Sequence, residues 1–211
     1  MFSFIHGAPS REPVSLPLFP LKTVLFPGGV LPLKVFEQRY VTMTKACVKD
    51  DTPFGVCLLT RGEEVPGSST ASAEIAFAPI GTRARITSWD MPQLGILHIR
   101  TEGLGRFQVQ SHAIAKDGLV SARVTEIAPE PALPLAEAFK PLASLLELLI
   151  NRVGRESFPA NLALTDASWA GYRLAEILPL PLPIKQSMFE INDADVRLTV
   201  LARFLKQQGL L

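Results

Sequence analysis

Cysteine is scarce in this chain: 211 residues carry two, Cys47 and Cys57. They stand ten apart and outside any Cys-x-x-Cys pair, which removes the thiol clusters that hold zinc and argues against a disulfide framework. Cys47 falls on an apolar helical stripe and Cys57 in the strand-like run FGVCLLT. Both read as small buried hydrophobes of a reducing compartment, and the expected location is cytoplasmic. Histidine is equally thin, and His6, His98 and His112 lie too far apart for a metal site of recognised spacing. Neither a metal nor a cofactor is expected. Charge of one sign is also missing, because 21 Lys and Arg meet 20 Asp and Glu for a net charge of +1. Without a dense Lys/Arg cluster, nucleic acid and anionic membranes lose their main attraction. Long apolar runs are absent too. Residues 142–150 fall well short of the roughly 20 needed to span a bilayer and include Glu147. The opening MFSFIHGAPSREP lacks the basic region and apolar core of a secretory signal, so no membrane partner is expected.

Catalytic signatures are missing as well. No Gly-x-Ser-x-Gly elbow exposes a serine nucleophile. Residues 62–69, GEEVPGSS, have the glycine spacing of a phosphate-binding loop, but Ser68 stands where the lysine belongs. Glu63 and Glu64 would repel a polyphosphate, so a solvated hairpin loop is the expectation. Gly103 and Gly105 are two thirds of a dinucleotide fingerprint, yet they lead into the strand-like run FQV, and a tight hairpin turn is expected there. Carboxylates that converge only in the fold, such as Glu37 and Glu102, are the remaining route to catalysis. The chain is read as not an enzyme.

Proline, by contrast, is abundant, with 18 residues. Four of them, Pro17, Pro20, Pro27 and Pro32, fall within residues 16–40, LPLFPLKTVLFPGGVLPLKVFEQRY. Each lacks a backbone donor and fixes its own φ, which excludes a helix interior or a central strand. Short strands broken by preset bends are expected, with the tightest turn at Pro27-Gly28-Gly29. The apolar residues between the bends form the inner face of a β-domain. A helix follows over 36–49, with Phe36, Tyr40, Met43 and Cys47 on one face.

Further strands are predicted at 54–60, 74–80, 81–89, 94–102, 106–114 and 119–127, separated by loops such as 62–72 and 90–93. Alternation is clearest in the last, where Val120, Ala122 and Val124 oppose Ser121, Arg123 and Thr125. So many short strands indicate a barrel or a highly curved sheet. After Ile127 the composition changes. Pro129, Pro131 and Pro134 make a stiff linker. Leu135, Ala138, Phe139, Leu142, Leu145, Leu146 and Leu149 then follow helical spacing, with Pro141 marking a kink or the first turn. A second helix starts after Asp166 or Ser168 and ends before Pro179. A third covers 184–190, and the last begins near Asn192 or Asp193 with Val196, Val200, Phe204 and Leu205 on one face. The division expected is a tail over 1–12, a β-domain over 13–128, a linker over 129–134 and a helical subdomain of about four helices over 135–211. The fold class is α+β.

The order LPLFPL, then FPG, then LPL-x-VFE-x-RY resembles the start of the N-terminal domain of ATP-dependent Lon proteases. The likeness continues through Phe54-Gly55-Val56, GTRARI at 81–86, GLGRFQV at 103–109, AEILP at 175–179 and KQSMFEI at 185–191. It covers nearly the whole chain from about Leu16. The resemblance implies a PUA-like β-barrel with a helical bundle behind it, and a module that captures polypeptide substrates. In full Lon proteases an ATPase module and a Ser-Lys protease module follow this domain. The chain stops at Leu211 without room for either, so it is expected to stand alone and not to hydrolyse ATP. Its expected partners are unfolded or damaged polypeptides, together with a separate protease or chaperone.

Candidate contact residues lie around the opening motif at Phe36, Arg39, Tyr40 and Met43. The competing reading places Phe36, Tyr40 and Met43 in the core. Arg39 then clamps a loop through Glu37 or a backbone carbonyl, and Arg106 closes the barrel. Two other functions stay open. PUA-like barrels often bind RNA, although neutral charge opposes it; the related domain in cereblon lies in an adaptor. A small ligand, or an undetected reaction, would use a cleft between barrel and helices.

Overall fold

The computed structural model describes residues 12–62, 75–159 and 161–210. His6, the expected tail up to residue 11 and most of the 62–72 loop lie outside the described residues. Seven strands come first, with one helix among them. They are β1 (Val14–Leu21), β2 (Val30–Val35), α1 (Gln38–Asp50), β3 (Phe54–Arg61), β4 (Ala76–Phe77), β5 (Ile80–Gln93), β6 (Ile96–Ile114) and β7 (Val120–Glu126). Four helices follow: α2 (Lys140–Val153), α3 (Ala167–Ile177), α4 (Leu182–Glu190) and α5 (Ala194–Gln207). The result is a mixed sheet plus five helices. Strand order is β1-β7-β6-β5-β3-β4, and a parallel pairing of β1 with β3 returns the path to its start, while β2 joins β6 from the side.

The prolines are accommodated differently from the expectation. Pro17 and Pro20 lie inside β1, which has neighbours on both sides. β1 divides its length between them: Val14 to Leu18 pair with β7, and Leu18 to Leu21 pair with β3. Pro17 is therefore matched to Ser121 alone and Pro20 to Cys57 alone, so each proline meets a partner on one edge only. Pro32 sits in β2, whose one strand partner among the described residues is β6, so a missing donor is tolerated. The Pro27-Gly28-Gly29 turn forms as expected: Gly29 N donates to Phe26 O at 2.9 Å, and Gly28 takes φ +68°.

Gly103 and Gly105 do not make a hairpin turn. Both lie within β6, a single 19-residue strand where two had been expected. Pairing with β5 shifts between Thr82/Arg106 and Ala84/Gly103, an irregularity that bends the strand. The reason for Gly103 is tertiary. A Cβ there would lie 2.3 Å from the Phe26 carbonyl oxygen, and the Pro27–Gly29 turn is hydrogen-bonded onto it by Gly28 N→Gly103 O at 2.7 Å and Gly103 N→Gly29 O at 2.8 Å. The actual hairpin is at Leu94-Gly95, with Gly95 at φ +81°, so β5 runs through residues 90–93 that had been read as a loop.

Phe26, held in place by this contact, enters the layer between sheet and helices. Its ring meets Phe189 edge-on at 5.6 Å and Tyr172 at 5.7 Å. Leu58 of β3 and Ala78, between β4 and β5, join it against Leu146, Leu174, Leu198 and Leu201. A second core lies around α1, and a third is built on Leu18, Phe107 and Val124.

The helix ends follow local chemistry. Asp166 caps α3 by accepting from Trp169 N at 2.7 Å, and Asp193 caps α5 by accepting from Val196 N at 3.0 Å. Pro141 lies in the first turn of α2, where its missing donor costs nothing. The inward face of α5 differs from the expectation. Val196 and Val200 are exposed, while Arg197, Leu198, Leu201 and Leu205 are buried. A buried arginine rotates that face away from the apolar pattern.

The contrast within β6 is testable. Gly103→Ala forces a Cβ into backbone and is expected to cost at least about 1–3 kcal/mol in urea denaturation. Gly105→Ala, with nothing within 4 Å of its Cβ position, is expected to change stability by no more than about 0.5 kcal/mol. Equal effects would remove the close approach as the reason for Gly103.

Candidate functional site

Around the opening motif the backbone separates residues that share one sequence pattern. α1 begins at Gln38, so Phe36 precedes the helix and is 52% exposed. Tyr40 and Met43 are buried in the helix. Tyr40 stacks on Phe19 with ring centroids 3.8 Å apart. Arg39 is buried as well. Its Nη2 pairs with Glu37 Oε2 at 2.7 Å, its Nη1 donates to Gly118 O at 3.0 Å, and its guanidinium lies 4.7 Å from the Tyr40 ring centroid. That contact holds the β6–β7 hairpin, where Gly118 takes φ +84°. What this region offers to solvent is Phe36, on the edge of a hollow of 230 Å³ that also includes Leu21, Leu33 and Lys34.

Arg106 belongs to a different neighbourhood. From β6 it donates to Phe189 O at 2.9 Å, to Ile191 O at 3.3 Å and to the Asn192 side chain. It also lies 3.7 Å from Glu130, a residue without an expected role. The Glu130 side chain is 2% exposed. Its carboxylate accepts from both terminal nitrogens of Arg197, from Tyr172 Oη at 2.6 Å and from Ser168 Oγ at 2.8 Å. Arg197 also donates to Met188 O at 3.0 Å and Ile191 O at 2.6 Å. Burial alone would raise the Glu130 pKa, but the hydrogen bonds from Arg197, Tyr172 and Ser168 outweigh it and hold the carboxyl below its ordinary value. Burial drives the Tyr172 phenol far upward, and its bond to Glu130 adds to the effect against the pull of Arg197. Every strong acceptor here is engaged, which describes a structural lock and not a reactive centre. Glu130 stands between Pro129 and Pro131, in the stretch read as a linker, and no periodic pattern marks it.

A larger concavity lined by described residues lies elsewhere, between the sheet and the start of the helical half. It is a groove of 1200 Å³ with Val30, Thr87, Arg100 and Glu102 on the strand side. Arg155, Glu156, Phe158, Pro159, Asn161 and Trp169 line it on the other. Arg100 reaches across to the Glu156 carbonyl, and Arg155 Nη1 donates to Pro159 O at 2.5 Å, so the far wall is fastened to the floor and to itself. Two arginines face two glutamates, and the groove has no excess of either charge. A smaller pocket of 280 Å³ adjoins it, with Val30 and Phe158 lining both.

Acid–base and nucleophilic chemistry finds little support. Glu37 pairs with Arg39, and Glu102 lies 3.3 Å from Arg85, so each carboxylate is met by its own arginine. Burial pushes the Cys57 thiol up to about 12 and also raises Cys47, against a hydrogen bond with Thr52. Among the described residues no three His, Cys, Asp or Glu are grouped to hold a metal ion, and no helix is long and apolar enough to cross a membrane.

Comparison with known proteins agrees with this architecture. The family model described as the ATP-dependent protease La (LON) substrate-binding domain matches residues 15–207. Lon protease 2 of Myxococcus xanthus is 26% identical over 204 residues, which cover 93% of this chain and 24% of that protein. Protein cereblon of Danio rerio is 32% identical over 124 residues, covering 57% of this chain and 27% of that one. A crystal structure of a Lon N-terminal domain protein from Xanthomonas campestris superimposes with a TM-score of 0.71 at 34% identity, over 90% of this chain and 98% of the other. The chain thus spans about a quarter of the length of the curated relatives it matches.

Two predictions separate packing from surface roles. Tyr40→Ala is expected to lower stability by roughly 3–5 kcal/mol, and Phe36→Ala by about 0.5 kcal/mol or less, in matched denaturation curves. Glu130→Gln leaves two buried arginines short of a counter-charge and is expected to cost about 3–5 kcal/mol at pH 7. Because the folded pKa of Glu130 is lowered, its contribution is complete above the ordinary carboxylate value of about 4.3 and is lost as pH falls through the folded value. The gap between wild type and Glu130→Gln is therefore smaller at pH 3 than at pH 7; a constant gap contradicts the lock.

Proposed function

The chain belongs to the Lon protease substrate-binding domain family, and from that premise we propose that it is a non-catalytic module that holds polypeptide segments. The observation that carries this reading is the open groove between sheet and helical half. Its size, its apolar wall of Phe158, Pro159 and Trp169, and its balanced charges suit an extended, uncharged backbone with apolar side chains. A phosphate backbone needs an excess of Lys and Arg, and this groove offers two arginines against two glutamates. Unfolded or damaged chains are the proposed ligands, because they expose such segments and folded proteins do not. A separate protease or chaperone is the proposed recipient.

Fluorescence anisotropy tests this with a labelled, permanently unfolded protein, its native form and a single-stranded RNA. The unfolded chain is expected to bind and to stay bound at moderate salt, while the native form does not. Thr87→Trp places bulk on the exposed groove floor. It is expected to weaken binding at least tenfold with an unchanged melting temperature. Salt-sensitive binding of the RNA alone would replace the reading with a nucleic-acid one, and no binding by any of the three would end it.

A further inference from the structure

The 280 Å³ pocket beside the groove has a composition that the groove lacks. Val24, Leu25, Leu31, Val153 and Ile177 give it apolar walls, and Thr23, Ser157, Glu176 and Lys185 supply polar groups. The charges are not balanced. The Glu176 carboxylate is already taken, 3.2 Å from Nη1 of Arg173, whose side chain is fully buried. The Lys185 ammonium donates to the backbone carbonyl of Glu176 at 2.6 Å and, among the described residues, has no carboxylate within ion-pair distance. Behind it, Arg173 reaches Pro27 O at 2.9 Å and pairs with Glu176 through Nη1, while its Nε lacks a hydrogen-bond partner. Two cations therefore share one carboxylate in a desolvated place. Burial lowers the pKa of Lys185 against the attraction of Glu176, and burial raises that of Glu176 despite Arg173 and Lys185. Both shifts have burial as their largest cause and mark the site as desolvated.

We propose that this pocket binds a carboxylate carried on a compact apolar body, with the Lys185 ammonium as its charge partner. The hydroxyls of Thr23 and Ser157 are the additional donors, and the aliphatic walls take the apolar body. A ligand of this kind fills the apolar space and supplies the missing counter-charge together, which neither an amine nor a neutral molecule does. Two sources carry the same chemistry: a small free acid, or the C-terminal carboxylate of a polypeptide whose preceding residues lie in the groove. The second source rests on the polypeptide reading; the first does not.

Isothermal titration calorimetry on the full chain, with 3-phenylpropionate, its amide and 3-phenylpropylamine as probes, tests the site. The acid is expected to bind at least tenfold more tightly than either analogue. Lys185→Gln is expected to erase that preference with little change in melting temperature. Should Lys185→Gln also lower the melting temperature, Ser157→Ala, at an exposed position, is expected to weaken acid binding several-fold while leaving the amide unaffected. Thr87→Trp is expected to leave all three titrations unchanged, which separates this site from the groove. Equal binding of acid and amide, tighter binding of the amine, a preference that survives Lys185→Gln, or no heat from any probe overturns the proposal. A peptide ending in leucine identifies the source. A tenfold advantage of its free acid over its C-terminal amide assigns the polypeptide terminus. Equal peptides, with the free-acid preference intact, assign a small acid.

Discussion

The carboxylate of Glu130 is what the relation between sheet and helices depends on. Arg106 and Arg197 are nearly devoid of solvent contact, and a buried cation without compensation costs several kcal/mol. One carboxylate meets both, and it draws its other donors from Ser168 and Tyr172 on α3. The arginines in turn tie down the carbonyls of Met188, Phe189 and Ile191, where α4 ends and α5 begins. Apolar contact at Phe26 is non-directional and would tolerate sliding. A shared carboxylate with directed hydrogen bonds does not, so the angle of the helices on the sheet is set by polar geometry.

α3 carries that geometry outward. One side of it supplies Ser168 and Tyr172 to Glu130, and Trp169 faces the groove. Further along, Arg173 holds the Pro27 carbonyl and Glu176 borders the small pocket. Both concavities therefore take their shape from a helix whose position is fixed by buried residues. The sheet side is equally determined, because the Pro27–Gly29 turn is bonded to Gly103 on one side and to Arg173 on the other.

Legibility in the sequence followed the range of the interaction involved. The starts of the last two long helices were readable to within a pair of residues, Asp166 or Ser168 and Asn192 or Asp193, because a cap is satisfied within three residues. Val120, Ala122 and Val124 were readable because one face of a strand shows itself as a two-residue period. The family motifs were readable as strings, and the comparisons agree with them. Gly103 was misread because the atom that forbids a side chain there belongs to Phe26, far away in sequence. Val196 and Val200 were misassigned because the face was drawn through apolar residues alone, whereas Arg197 is buried. Phe36 and Tyr40 share a helical spacing, but the helix starts two residues after Phe36. Glu130 was invisible because a charged side chain is read as solvated unless its partners are known, and its partners lie on elements that meet only in the fold.

The split pairing of β1 also has a consequence in time. Its first half needs β7, with Val14 matched to Val124, and the lock needs Arg197, almost at the end of the chain. During synthesis from the N-terminus, β1 thus waits unpaired along half of its length until more than a hundred further residues have emerged. Loop closure of that span is slow compared with local helix formation. Throughout this interval the nascent chain displays apolar strand faces and incomplete hydrogen-bond ladders. For that interval the chain has the exposed, unpaired character of an unfolded polypeptide.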